Sequence, residues 1–136
     1  MTRYYSATAA DNNLSSSISS IATTISLGAT PVGYPLSGNP FTLAIDYNTS
    51  SEEIVLVTAY AGSSLTVTRG FNGTTPLSHG AGALVRHVIV AQDLTDAQNH
   101  YAATTSVHGI ADTSALATQS TATDVSNATS FLNMGA

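Results

Sequence analysis

The sequence predicts a mainly β fold, a small antiparallel barrel or sandwich over residues 21–91. An extended N-terminal arm, 1–20, precedes it, and a short helical segment, 92–136, follows it. Two observations lead to this reading. Short β-branched runs recur at near-regular spacing with glycine turns between them, and after Val90 that period gives way to apolar residues at helical spacing.

In chain order, the arm is polar, with Tyr4, Tyr5, Leu14 and Ile18 as anchors, and its "DNN" and "SSS" runs disfavour regular structure. "IATTISL" from Ile21 reads as a strand. "GATPVGYPLSGNP" packs three prolines and three glycines into thirteen residues and is a loop. "FTLAID" (41–46) is a strand, and "YNTSSEE" is a turn. "EIVLVTAY" (53–60) is almost continuously apolar, which predicts burial on both faces. A short turn at Gly62 leads into "SLTVTR" (64–69), where Leu65 and Val67 share one face and Thr66 and Thr68 the other. "ALVRHVIV" (83–90) is the last strand. Beyond it, Asp93 is a candidate N-cap for a helix over 94–104, with Leu94, Ala97, Tyr101 and Ala102 as its apolar stripe and Gly109 as its stop. "TSALATQSTAT" and "SNATSFLNM" are weaker helical candidates, too short to stand alone in water.

Composition narrows the function. Only 8% of the 136 residues are charged, against 18 Ser and 20 Thr. The net charge is −5, with three arginines and no lysine, which argues against nucleic acid and against an anionic membrane as partners. No run is long and apolar enough to span a bilayer. Cysteine is absent, so disulfides and thiolate metal sites are excluded. So sparse a charge suits a surface covered by copies of the chain or by partners.

The most patterned stretch is "LTVTRGFNGTTPLSHGAGALVRHV" (65–88). A phosphate-cradling loop would run into a helix and usually carry a lysine; this one runs into a strand. It reads as a structural loop: Gly70, Gly73 and Gly82 permit turns, Asn72-Gly73 tightens one, and Arg69 and His79 pin the loop by hydrogen bonds. Arg69 is expected to meet Asp46, Glu52 or Glu53, or loop carbonyls. The four histidines lack zinc-site spacing, no GxSxG elbow occurs, and the adjacent Glu52 and Glu53 point to opposite faces. No catalytic, cofactor-binding or metal site is therefore expected. Leu94, Tyr101 and His108 are candidate oligomer contacts.

The ordered set "ID", an acidic pair opening a "VxV" strand, "LTVTRGxxGT", "HxxGAxV", a helix and "VHGI" resembles a β-module of tailed-bacteriophage virion proteins. Minor tail and tail-fibre-type proteins of actinobacterial phages carry it most characteristically. The match falls on Asp46, Glu52, Glu53, Thr68, Arg69, Gly70, Gly73, Thr74, His79, Gly82, Ala83, Val85, His87 and the Val107–Ile110 run. The resemblance implies a non-enzymatic structural protein of the virion, assembled in the host cytoplasm. It further implies a homotrimer joined to other virion proteins, as a minor tail or capsid decoration protein. Fibre-type relatives carry long distal regions; this chain runs only to Ala136, so a receptor-binding head is not expected. The alternative is a glycan- or cell-wall-binding module used in host adsorption, with six tyrosines available for stacking but no tryptophan.

Overall fold

The computed structural model describes residues 2–103 and the backbone of 105–107 and 110–112. The chain divides into two units, Met1–Leu94 and Thr95–Ala136. The first is a mainly β unit. Its six strands are β1 (Asn12–Asn13), β2 (Thr24–Ser26), β3 (Phe41–Ile45), β4 (Glu53–Ala61), β5 (Ser64–Thr68) and β6 (Leu84–His87). They form one curled antiparallel sheet in the order β1-β6-β3-β4-β5-β2. Its two edges meet where Leu14 bridges Leu27: Ser15 N–H donates to the Ser26 carbonyl at 2.8 Å, and Gly28 N–H to that of Asn13 at 2.8 Å. The small β-barrel-like architecture agrees with the sequence expectation.

Parity along the strands sets the core. Phe41, Leu43 and Ile45 of β3 face inward, as do Val55 and Val57 of β4, Leu65 and Val67 of β5, and Val85 of β6; all are buried. Between Val57 and Ala59 the β4–β5 register shifts. This bulge at Thr58 moves the inward face from odd to even positions, so that Tyr60 packs on the core where Ala59 otherwise would. The other face of β3 and β4 is covered too, since Ala44 and Ile54 pack with Val90, Phe71 and Val88. That second cluster is why "IVLV" (54–57) is apolar at every position.

The N-terminal region is more integrated than its polar composition suggests. Asn12 and Asn13 pair with β6, and Leu14 and Ile18 are core residues. Where β4 outruns β3, Ser37 stands in for a neighbouring strand: its hydroxyl accepts from Tyr60 N–H at 2.8 Å and donates to the Tyr60 carbonyl at 2.7 Å.

The helix α1 (Ala91–Ala102) starts three residues before the expected position. Asp93 is not the N-cap residue. It sits in the first turn, and its carboxylate accepts Val90 N–H at 2.8 Å, the reaching-back half of a capping box. No described residue of α1 is buried, and Leu94 and Tyr101 are exposed. Thr105–Val107 (β7) and Ile110–Asp112 (β8) form an antiparallel pair where the sequence suggested only a break in helix. Gly109 and the two weaker helical candidates lie outside the described residues. Among those described, no helix is long and apolar enough to cross a membrane.

Candidate functional site

Strand parity carries two charged residues into the barrel interior. Glu53 opens β4 on the same face as Val55 and Val57, opposite Ile45, and is fully buried. Arg69 follows β5 on the face of Leu65 and Val67. They meet in a two-pronged pair: Arg69 Nε donates to Glu53 Oε1 at 2.8 Å and Nη2 to Oε2 at 2.7 Å. The remaining guanidinium donors reach the carbonyls of Ser19 (2.7 Å), Ala22 (3.2 Å) and Leu77 (2.6 Å). Arg69 thus ties the N-terminal region and the long loop to one carboxylate. Of the three carboxylates open to it in the sequence, Glu53 is the one it takes, and it meets the expected loop carbonyl at Leu77 as well.

Glu53 collects further donors. Gly70 N–H reaches Oε1 and Leu77 N–H reaches Oε2, both at 2.9 Å. His79 Nε2 lies 2.9 Å from Oε2, and its Nδ1 lies 2.7 Å from Asp46 Oδ2. The backbone of His79 pairs in both directions with Ile18. Burial would push the Glu53 carboxyl up, but Arg69, Leu77 N–H, His79 and Gly70 N–H outweigh it and hold the carboxyl down at about 2. Glu52, pointing the other way, accepts Asn48 N–H at 2.6 Å.

A carboxyl lowered from 4.5 to about 2 contributes stability that is fully present above about pH 4.5 and is lost as pH falls through about 2. Urea unfolding midpoints are expected to drop across that window. The Glu53→Gln variant, less stable near neutrality, is expected to show a shallower drop. Parallel acid profiles for the two proteins would contradict the assignment.

The loop above this network turns through three left-handed residues: Gly70 (φ 59), Asn72 (φ 54) and Gly73 (φ 80). At Gly70 the geometry requires glycine twice over. A Cβ there would lie 2.8 Å from the Pro76 ring and 2.9 Å from the Thr74 carbonyl oxygen, whereas one at Gly73 would meet nothing within 4 Å. Gly73→Ala is therefore expected to cost about 1–2 kcal/mol, the left-handed penalty alone. Gly70→Ala is expected to cost more, read as the difference between their urea midpoints. Thr74 locks the turn's exit. Its hydroxyl accepts Ile54 N–H at 3.0 Å and donates to the Phe71 carbonyl at 2.9 Å. Asn72 Oδ1 accepts Gln92 N–H at 3.1 Å, and the Gly82 carbonyl accepts from the Asn13 side chain at 2.8 Å.

The structure thus gathers Arg69, Gly70 and His79 around Glu53, while Asn72, Gly73 and Gly82 shape the loop around them. Both ring nitrogens of His79 face carboxylates, and both oxygens of Glu53 are hydrogen-bonded. Among the described residues no group of three or more His, Cys, Asp or Glu side chains is placed to hold a metal ion. Leu94 (63% exposed) and Tyr101 (93%) stand in solvent, and His108 lies outside the described residues. His87, which the sequence marks only through the phage resemblance, and Tyr34, which no sequence pattern marks, both belong to an aromatic cluster on Phe41 at the other end of β3.

On the outer face of the sheet an open groove of about 460 Å³ is lined by Tyr47, Glu52, Asn72, Thr74 and Arg86, with Ile89 and Val90 among its apolar walls. The Arg86 guanidinium lies over the Tyr47 ring, 4.6 Å from its centroid, and pairs with Asp11. Neither protein-family models nor curated proteins include a match to this chain.

Proposed function

We propose that the chain is a non-enzymatic structural protein of a tailed-phage virion, attached to the particle surface as a homotrimer in the role of a minor tail or capsid decoration protein. One observation carries this reading. Six of the residues on which the resemblance to the phage β-module rests are engaged within the fold: Asp46, Glu53, Arg69, Gly70, Thr74 and His79 bond to one another or to backbone beneath the loop. In this reading the motif serves a rigid scaffold. A scaffold acts through its surface, and here that surface keeps large apolar side chains in solvent, among them Ile21, Val32, Leu36, Ile89, Leu94 and Tyr101. Their cover in this reading is other copies of the chain and other virion proteins.

The test is gold-labelled antibody on intact particles of the phage that encodes the chain, with sedimentation of the purified protein alongside. Label on the head assigns the decoration role, and label on the tail assigns the tail role. Unlabelled particles overturn the proposal.

The groove at Tyr47 favours a second reading, a glycan- or cell-wall-binding module, because it combines a half-exposed aromatic ring with amide, hydroxyl and carboxylate groups. Retention on the host polysaccharide that is lost in Tyr47→Ala supports it.

A further inference from the structure

His87 holds the N-terminal arm through one ring nitrogen. Its Nδ1 lies 2.9 Å from the Thr42 carbonyl oxygen. A carbonyl only accepts, so Nδ1 carries the hydrogen, and in the neutral ring Nε2 is left as an acceptor. Ser6 N–H donates to that Nε2 at 3.2 Å, and the Tyr5 ring stacks on the imidazole with centroids 5.5 Å apart. On either side the arm is tethered independently. Tyr4 N–H donates to the Pro40 carbonyl at 2.7 Å, and Arg3 pairs with Asp93 and lies over Phe71. Further along, Ala10 N–H donates to the Val32 carbonyl at 3.0 Å, and Thr8 sits so close to Gly33 (φ +72) that a Cβ there would lie 2.1 Å from the Thr8 carbonyl oxygen. Between these tethers, Tyr5, Ser6 and Ala7 form one wall of a mainly apolar groove of about 500 Å³; His87, Val88 and Ile89 form the other.

We infer that His87 is a proton-operated latch. A proton on Nε2 releases the Ser6 amide and lets the Tyr5–Ala7 stretch lift from Val88 and Ile89, while the arm stays anchored at both ends. Protonation turns the acceptor into a donor facing another donor, so this hydrogen bond cannot survive it.

The surroundings do not favour the charged ring. Tyr5 and Tyr34 flank it, and burial pushes both phenols up, Tyr34 to about 12, so neither supplies a negative charge. Phe41 and Thr42 of β3 carry none. Arg3 and Asp93, beyond Tyr5, are paired with each other. Glu52, Tyr47 and Arg86 line the other groove that His87 borders, where Glu52 is engaged by Asn48 N–H and Arg86 by Asp11. Burial lowers the pKa of His87 below 6.5, against the opposing pull of the Thr42 carbonyl. The folded state therefore favours the neutral ring: the stabilisation is complete above about pH 6.5 and is lost as pH falls below it.

The test is amide hydrogen exchange of the full chain, read residue by residue by NMR and corrected for intrinsic rates, between about pH 7.5 and about pH 4.5. Protection of the Ser6 amide is expected to fall about tenfold or more towards the acid end, while the Tyr4 and Ala10 amides keep theirs. Two variants isolate His87: His87→Phe keeps the ring packing, and His87→Gln offers an amide that does not titrate. Both retain His79 and His100. Ser6 protection is expected to become independent of pH in each, low in the Phe variant. Constant Ser6 protection in the wild-type chain, or the same acid loss in both variants, overturns the latch.

Discussion

Arg69→Ala is expected to destabilise the protein by about 3–5 kcal/mol, because it strands an ionised carboxylate in the barrel interior. Glu53 has no exposed surface, and Arg69 donates to both of its carboxylate oxygens. The same truncation unbinds the carbonyls of Ser19, Ala22 and Leu77, so the N-terminal region and the loop lose a common anchor. Urea unfolding at neutral pH measures the loss. A second variant separates the charge from the packing. Arg69→Ala with Glu53→Gln leaves a neutral amide in place of the anion and is expected to be more stable than Arg69→Ala alone, despite carrying two substitutions. Arg69→Lys is not expected to restore stability, since an ammonium cannot match the two-pronged geometry or reach all three carbonyls. Loss under about 1 kcal/mol in Arg69→Ala would mean that water replaces the guanidinium and that the network does not hold the loop.

The same region shows what a sequence discloses and what it withholds. Alternation in "SLTVT" placed Leu65 and Val67 inside, and continued by one more pair it places Arg69 inside as well. Adjacent Glu52 and Glu53 must face opposite ways, which left one of them for the interior. The identity of Arg69's partner was not legible, because Asp46, Glu52 and Glu53 all precede it by a strand or more and the pairing of β4 with its neighbours β3 and β5 decides among them. The arm was harder still. A run such as "DNNLSSSISS" has no alternation long enough to signal a strand, and its two apolar residues act through single bridges, Leu14 to Leu27 and Ile18 to His79. Those pairings are specified by distant segments, not by local propensity. The capping of α1 was half legible: Asp93 was recognised as a helix-start residue, but a carboxylate can cap from the N-cap position or reach back from the first turn. The bulge at Thr58 had no signature, since Thr is at home in either a regular or a bulged strand.

Phe41→Ala is expected to cost about 3–5 kcal/mol, comparable to the loss of Arg69, but by a different route. Phe41 is 1% exposed and closes the aromatic end of the core. Its ring takes the edges or faces of Tyr34 at 5.7 Å, Tyr60 at 6.2 Å and His87 at 5.6 Å, all near perpendicular. Truncation removes those contacts together and opens a cavity bordered by rings that cannot all collapse into it. Two readouts distinguish this from the Arg69 substitution. The stability lost at Phe41 is expected to be nearly independent of pH through the Glu53 window, from about 4.5 down to about 2, since the Glu53 network remains intact, whereas the deficit of Arg69→Ala shrinks as acid neutralises Glu53. The Ser6 amide is also expected to lose protection in Phe41→Ala even at neutral pH, because the imidazole that accepts it is seated on the missing ring. Full Ser6 protection in this variant would show that the Thr42 carbonyl alone orients His87, and would shift the support of the arm from the aromatic cluster to the backbone of β3.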